Sequence, residues 1–301
     1  MIPAPGAHGG DGARLAAALG MDPTDVVDLS MSLNPFAPDI TSLVARHARS
    51  VRTYPDAGHA TEALASAMDV APERLVLTNG GAEAIALVAA QYPTGAVDAP
   101  DFSLYERHLA TVQPGAPRWR SNPNNPTGRL APTSATAAVW DEAFYPLATG
   151  AWTRGDPGAT VVGSLTKVFA CPGLRVGYVL APDADVAREI DARRPEWSVN
   201  GLACAVVPDL LEHADLIGWA AAVRTARAAL VELLCQHDLV PDPSDANFVL
   251  VREADGLREH LARRAVLVRD TSSFGIAHGV RIAVPDSDDL DRLATALEGY
   301  R

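Results

Sequence analysis

Residues 161–182, VVGSLTKVFACPGLRVGYVLAP, constrain the fold of this chain more than any other segment. Two apolar runs in this region, residues 159–164 and 175–181, have the length and the β-branched content of buried strands. Between them stands Lys167, the only lysine in 301 residues, followed by a Pro-Gly break. Because the surrounding sequence is too apolar for a solvated face, the lysine is expected to lie in an apolar pocket.

Strand and helix patterns alternate on both sides of this segment. RLVLT at 74–78 predicts a buried strand that leads into a Gly-led helix, NGGAEAIALVAAQY. Residues 206–236 carry the 3.6-residue period of long helices. The last third of the chain predicts strand, helix, strand, strand and a final helix from about Ser287. This alternation predicts an α/β fold with a mainly parallel sheet flanked by helices, followed by a smaller α+β domain.

The predicted division between the two domains falls near residues 195–201. Residues 1–40 are expected to form an N-terminal arm that joins the small domain. Residues 41–200 are expected to form the large domain, and residues 201–301 the small one. A chain of 301 residues is long enough for such a pair of cores.

Charge and composition exclude several classes of protein. The formal net charge of −12 argues against nucleic-acid binding, which needs clustered Lys and Arg. No apolar run approaches the roughly 20 residues of a membrane span, and the first ten residues lack the features of a signal peptide. The three cysteines are odd in number and show no metal-ligand spacing, which predicts reduced thiols, no metal site and a cytoplasmic protein.

Three loops after predicted strands carry polar residues that could meet at one edge of the sheet. TNGGAE opens a helix and could bind an anion, although Gly-Gly after a strand is more often only a tight turn. SNPNNPTGR is a rigid turn that could equally be a surface loop. Asp141 follows an apolar pair in VWDEAFYP and could be a helix cap, a surface charge or a buried partner for a cation.

Seven motifs stand in an order that resembles the fold-type I pyridoxal-5′-phosphate (PLP) enzymes, the aspartate aminotransferase-like group. They are YPD at 54–56, TNGGAEAI at 78–85, NPNNPTG at 122–128, DEAF at 141–144, SLTK at 164–167, PGLRVGY at 172–178 and GVRIAV at 279–284. Each motif alone is unspecific, but the ordered set covers most of the chain. The resemblance implies a PLP-dependent enzyme with a large and a small domain.

The resemblance also implies roles for individual residues. Lys167 would hold PLP covalently, and Asp141 would pair with the protonated pyridine nitrogen. Asn125 would donate a hydrogen bond to the ring oxygen, and Phe102 would stack on the ring. The cofactor phosphate would be bound by Gly81, Ala82, Ser164, Thr166 and Arg175. Tyr54 would reach the phosphate of a neighbouring subunit, which implies a homodimer. Arg281 would bind the substrate α-carboxylate.

Two families within this group compete. AHGG at 7–10, PEWSVN at 195–200 and Phe144 resemble threonine-phosphate decarboxylase of cobalamin biosynthesis. Nearly all other motifs are shared with histidinol-phosphate aminotransferase, so transamination of histidinol phosphate or a similar phosphorylated amine is the alternative. In the decarboxylase reading, His8, Gly9 and Arg269 would lie near the substrate phosphate. A mobile tail would be the simpler interpretation of His8. A non-catalytic or altered-substrate paralogue is a third possibility.

The chain departs from the family pattern in three places. Ser32 stands where the decarboxylase has an asparagine that contacts substrate, which leaves the substrate preference open. Only 12 residues, 129–140, separate NPTG from DEAF, too few for a strand-to-strand crossover with a full helix. We therefore expect shortened sheet-covering helices. PGAPRWRSNP supplies little apolar sequence for a strand before the asparagine turn.

Overall fold

A computed structural model describes residues 1–300, which form twelve strands and twelve α-helices. The helices are α1 (Gly12–Leu19), α2 (Thr41–His47), α3 (Gly58–Met68), α4 (Gly80–Gln91), α5 (Leu104–His108), α6 (Tyr145–Thr149), α7 (Leu165–Val168), α8 (Ala184–Asp191), α9 (Gly201–Glu212), α10 (Leu216–Gln236), α11 (Leu257–Ala262) and α12 (Ser287–Leu297). The strands are β1 (Val27–Asp28), β2 (Leu75–Thr78), β3 (Thr94–Val97), β4 (Thr111–Val112), β5 (Arg118–Ser121), β6 (Val139–Asp141), β7 (Thr160–Gly163), β8 (Gly177–Leu180), β9 (Phe248–Val251), β10 (Val266–Leu267), β11 (Arg269–Asp270) and β12 (Val280–Ala283).

The large domain is built on a seven-stranded sheet in the order β2-β8-β7-β6-β5-β3-β4. Every neighbouring pair is parallel except the two pairs formed by β8, which runs antiparallel to β2 and β7. Every residue of β2, β7 and β8 is buried, which explains their continuous apolar sequences. One face of the sheet is covered by α3, α6, α9 and the start of α10, and the other by α4, α5 and α8. The predicted α/β fold with a mainly parallel sheet is confirmed.

The small domain contains an antiparallel sheet in the order β11-β12-β9, packed against α10, α11 and α12. The N-terminal segment lies beside it, because β1 pairs with β10 and Leu15 of α1 packs on Ala262 and Leu267. The single strand expected from VLVRD is two short strands, β10 and β11. No helix within residues 1–300 is long and apolar enough to cross a membrane.

Apolar packing favours a domain boundary later than residues 195–201. Helix α9 follows that segment, yet it packs on α3 and contributes to the core of the large sheet. Along α10, Leu216 and Trp219 belong to the same core, whereas Leu230 and Leu234 belong to the core of the small domain. We therefore propose that the division lies within α10, which both domains share.

The connection from β5 to β6 has no helix, in keeping with the expected shortening. The strand before the asparagine turn is nevertheless present as β5, with Trp119 only 1% exposed. Arg154 organises the helix-free loop. Its guanidinium stacks 4.9 Å over Trp140 and pairs with Asp156 at 2.8 Å. It also donates to four backbone carbonyls of the loop, those of Ala131, Pro132, Thr133 and Ala135.

Replacing Arg154 with alanine is expected to lower the free energy of unfolding by about 2–4 kcal/mol, because several partly buried carbonyls and Asp156 lose their donor. Urea unfolding of the purified protein measures this. The matched control is Arg188→Ala, which removes an exposed pair with Asp185 on α8 and should cost no more than about 0.5 kcal/mol. Equal losses in the two variants would contradict the role given to Arg154.

Candidate active site

A cavity of about 450 Å³ lies among the carboxyl ends of β5, β6 and β7, the N-terminal segment and the small domain. Ligands of open α/β sheets bind at this edge. Most of the predicted site residues line this one cavity, namely His8, Gly9, Gly81, Ala82, Phe102, Asn125, Asp141, Ser164, Thr166, Lys167, Arg175, Arg269 and Arg281. Residues from distant parts of the sequence therefore meet as the ordered motifs predicted.

Lys167 lies on the one-turn helix α7 directly after β7. Its Nζ donates a hydrogen bond to the carbonyl of Met31 at 2.7 Å and lies 5.9 Å from the centre of the Phe144 ring. Burial lowers the pKa of Lys167 to about 7, and the positive charges of Arg281 and Arg175 act in the same direction. A substantial fraction of the amine is therefore neutral near pH 7, the form that reacts with an aldehyde.

Asp141 ends β6 in the same cavity. Its two carboxylate oxygens accept hydrogen bonds from the hydroxyl of Tyr105 at 2.8 Å and from the backbone N–H of Ala143 at 3.0 Å. Burial raises the pKa of Asp141, while these two hydrogen bonds and the charge of Lys167 oppose the rise. Such a carboxylate is suited to pairing with a protonated ring nitrogen.

The start of α4 forms a cradle for an anion. A Cβ at Gly177 would approach within 2.6 Å of the Gly80 carbonyl carbon and the Gly81 nitrogen, so only glycine lets β8 pass this close to the helix end. The guanidinium of Arg175 lies against Gly80 and donates a long hydrogen bond of 3.4 Å to the carbonyl of Pro172. Free backbone N–H groups and a lightly engaged arginine match a phosphate. The amine, the buried carboxylate and this cradle together fit PLP.

The N-terminal segment is packed into the cavity wall. Arg269 donates to the carbonyl of Gly6 at 2.9 Å and to the carbonyl of Ala7, and Gly10 donates to the Ser30 hydroxyl at 2.9 Å. The His8 ring lies 5.8 Å from that of Phe102. Burial lowers the pKa of His8, and the charges of Arg269 and Arg107 lower it further. These contacts argue against a mobile tail at His8.

Arg281 projects from β12 and is only 5% exposed. Its Nη1 donates to Oδ1 of Asn125, its Nη2 donates to the Ser30 carbonyl at 3.2 Å, and its guanidinium stacks 4.6 Å over Phe248. Burial lowers its pKa to about 9, with a further contribution from Arg269. The arginine is therefore a cation without a carboxylate partner among residues 1–300, which suits an anionic ligand.

Two predicted site residues do not lie in this cavity. Ser32 is wholly buried and has a left-handed backbone with φ 49°, and its carbonyl accepts a hydrogen bond from Asn247 at 2.8 Å. The Ser32 side chain does not line the cavity, so its contact with substrate stays a prediction. Tyr54 is 77% exposed and stacks on Trp197, so its role at a neighbouring subunit stays a prediction.

Sequence reasoning missed the residues that support the predicted set. Tyr105 bonds Asp141, and the carbonyls of Ser30 and Met31 receive Arg281 and Lys167. The apolar spacing of SLYER could have marked Tyr105 as inward-facing. Backbone carbonyl contacts leave no trace in residue identity, so no signal could have found the other two.

Comparison with known proteins agrees with this geometry. Residues 100–297 match the family described as aminotransferase class I and II. The chain belongs to this family. Its members are PLP-dependent, and the enzyme is accordingly a PLP-dependent aminotransferase or decarboxylase.

Among curated relatives, the enzyme is similar to histidinol-phosphate aminotransferase 1 of Thiobacillus denitrificans, with 30% identity over 94% of this chain and 88% of the relative. It is also similar to threonine-phosphate decarboxylase of Salmonella typhimurium, with 27% identity over 97% of this chain and 95% of the relative. The histidinol-phosphate aminotransferase of Sinorhizobium meliloti, solved with pyridoxal-5′-phosphate, shares the fold with a TM-score of 0.82 and 17% identity over 99% of this chain and 94% of that one.

We predict that PLP attaches to Lys167 and that attachment follows the titration of this amine. The rate should rise between about pH 6 and 8 and then level off, because the neutral fraction increases through a pKa of about 7. Borohydride reduction, digestion and mass spectrometry measure the rate of PLP attachment to Lys167 at each pH. With a single lysine in the chain, Lys167→Ala leaves only the N-terminal amine as background. A rate that still climbs above pH 9 would contradict the lowered pKa.

Asp141→Asn is expected to retain PLP but to lower turnover by about 100-fold or more, because the ring nitrogen loses its counter-charge. Absorbance titration with PLP and steady-state kinetics separate the two effects. Asp270→Asn, an acidic residue of β11 outside the cavity lining, is the charge-matched control. Near-wild-type turnover of the Asp141 variant would remove this residue from the mechanism.

Proposed function

We propose that the enzyme decarboxylates L-threonine O-3-phosphate to aminopropanol phosphate. The observation that carries the proposal is the N-terminal segment, which brings His8, Gly9 and Gly10 into the cavity that also contains Arg269 and Arg281. A substrate with both a phosphate and a carboxylate needs two anion subsites in addition to the cradle for the cofactor phosphate. The His8 side with Arg269 and the Arg281 side provide them.

The two arginines contribute differently. Both terminal nitrogens of Arg269 donate to the protein itself, to the carbonyls of Gly6 and Ala7 and to the Ser273 hydroxyl. Arg269 therefore holds the N-terminal segment in place and lends its charge to the phosphate subsite. Arg281 faces the cavity beside Asn125 and would bind the carboxylate.

PLP, when bound, would supply an electron sink for the charge that develops at the substrate Cα. The residues of the chain would decide which bond at Cα is broken. Anchoring of the phosphate near His8 and of the carboxylate by Arg281 fixes the rotation about the Cα–N bond. Asp141 would hold the proton on the ring nitrogen. Lys167 would be the amine that delivers a proton to Cα in place of the lost carboxylate, because its pKa of about 7 lets it hold or release one.

Transamination of histidinol phosphate is the second candidate. It is favoured by the similarity to the Thiobacillus denitrificans aminotransferase, which matches the chain at slightly higher identity than the decarboxylase does. Histidinol phosphate has no carboxylate, so Arg281 would then serve only the amino-group acceptor. The N-terminal segment would matter less to such an enzyme, since one anion subsite suffices for each half-reaction.

The deciding experiment gives the holoenzyme L-threonine O-3-phosphate and measures CO2 and aminopropanol phosphate. In a parallel assay, the holoenzyme is given histidinol phosphate with 2-oxoglutarate, and glutamate is measured. We expect CO2 and no glutamate. Gly9→Ala should raise KM for the phosphorylated amino acid about 10-fold or more, because a Cβ there would collide with the Ser30 backbone. Gly173→Ala, in open space, is the control. Glutamate without CO2 would establish the aminotransferase, and silence in both assays would indicate an altered substrate.

We also propose that the enzyme is a homodimer with Tyr54 completing the partner's phosphate site. Tyr54 and Trp197 form an exposed aromatic pair, with ring centres 4.6 Å apart, outside the cavity of their own chain. Light scattering at micromolar concentration should give a dimer. Tyr54→Phe and Lys167→Ala should each be impaired, and activity should reappear on mixing them, because a hybrid dimer contains one intact site. A monomeric mass, or no recovery of activity on mixing, would contradict active sites shared between subunits.

A further inference from the structure

A carboxylate that the proposed reaction does not use lies behind the cavity. Asp101 follows β3 and precedes α5. Its Oδ1 accepts from the backbone N–H of Phe102 at 2.8 Å and from the Ser121 hydroxyl, and its Oδ2 accepts from the backbone N–H of Ser121 at 3.1 Å. The side chain of Asp101 thereby ties the segment before α5 to the end of β5.

Ser121 connects Asp101 to the asparagine turn through two hydrogen bonds. The Ser121 hydroxyl donates its one proton to Asp101, so its oxygen accepts from the backbone N–H of Asn125 at 2.7 Å. Ser121 is 3% exposed and Asn125 is 5% exposed, so water does not compete for these bonds. The direction of each hydrogen bond follows from Asp101 being an acceptor.

Asn125 of the asparagine turn contacts Arg281, the residue proposed to bind the substrate carboxylate. Oδ1 of Asn125 accepts from Nη1 of Arg281, which leaves the Asn125 amide nitrogen as a donor. Four residues from three separate parts of the chain therefore form one line of hydrogen bonds, Asp101–Ser121–Asn125–Arg281. One end is a carboxylate with no ion-pair partner within residues 1–300, and the other is a cation at the cavity.

Burying the Asp101 carboxylate in this line of hydrogen bonds costs free energy. Burial raises the pKa of Asp101 to about 7, against the hydrogen bonds from Ser121 and Phe102 that lower it, and the charge of Asp141 raises it further. A hydroxyl and two N–H groups could be satisfied by a neutral acceptor at lower cost. The backbone N–H groups of Phe102 and Ser121 fix the Asp101 carboxyl, which gives the Ser121 hydroxyl one favoured direction and hence gives Asn125 one position.

We propose that Asp101 and Ser121 are positioning residues that fix Asn125, and through it Arg281, in the arrangement that binds the substrate carboxylate. The inference rests on the proposed function in assigning that carboxylate to Arg281. Neither residue lines the cavity, so neither contacts substrate. Their loss should therefore weaken the recognition of one chemical group and leave the phosphate subsite unchanged.

The test compares two ligands that differ by the carboxylate alone, in holoenzyme of Ser121→Ala and Asp101→Asn. KM for L-threonine O-3-phosphate should rise about 10-fold, whereas the inhibition constant of aminopropanol phosphate should stay within about 2-fold of wild type. Thr127→Val is the matched control, because it removes a hydroxyl of the same turn that donates to Asn124. Ser121→Thr, which keeps the hydroxyl, should restore the wild-type ratio. Equal weakening of both ligands, or of neither, would overturn the proposal.

A second measurement does not depend on the substrate. Amide hydrogen exchange of the turn in the holoenzyme should be about 10-fold faster at Asn125 in Ser121→Ala, and unchanged there in Thr127→Val. If the wild-type enzyme releases no CO2, the proposed function is wrong. The exchange rate at Asn125 then tests the positioning of this residue independently of the reaction. Unchanged exchange at Asn125 would overturn the positioning itself, whatever the reaction.

Discussion

The site depends on the hydrogen bonds between the turn that carries Lys167 and residues 30–34. Nζ of Lys167 donates to the Met31 carbonyl, and the backbone N–H of Asn34 donates to the Lys167 carbonyl at 3.0 Å. The same short segment accepts Arg281 at the Ser30 carbonyl and anchors the N-terminal arm through the Ser30 hydroxyl. One stretch of backbone thus joins the large sheet, the small domain and the arm. A displacement of this stretch would move the amine, Arg281 and the arm together.

The cavity concentrates positive charge in a protein whose net charge is −12. Lys167, Arg175, Arg269 and Arg281 all line it, while Asp141 is its one carboxylate. Burial and mutual repulsion lower the pKa of Lys167 to about 7 and that of Arg281 to about 9. Bound anions would oppose this repulsion and would favour the charged form of the groups around them. Burial and repulsion by themselves favour the neutral amine of Lys167, the form that reacts with an aldehyde.

The sequence predicted those parts of the molecule that local rules govern. The lysine and Asp141 follow apolar strands, and their meeting at one edge follows from parallel strand order. Ser32 has a left-handed backbone and lies outside the cavity lining, and residue spacing does not reveal such a conformation. Strand β5 looked too polar because only Trp119 and Ser121 face inward. Helix α9 has the period of any amphipathic helix, and periodicity does not say which of the two cores it covers.

The shortened connection between β5 and β6 removes covering structure without removing the site. Asp141 ends β6, and Asn125 and Lys167 lie within four residues of the ends of β5 and β7, while the candidate anion cradle belongs to α4. The loop that replaces a helix keeps its carbonyls satisfied through Arg154, which does not line the cavity. Stability of that loop and chemistry in the cavity thus depend on different residues. Asp101 and Ser121 connect the shortened region to the cavity. Ser121 ends β5, the strand before the shortened loop, and its hydrogen bonds to Asp101 and Asn125 hold a residue of the site.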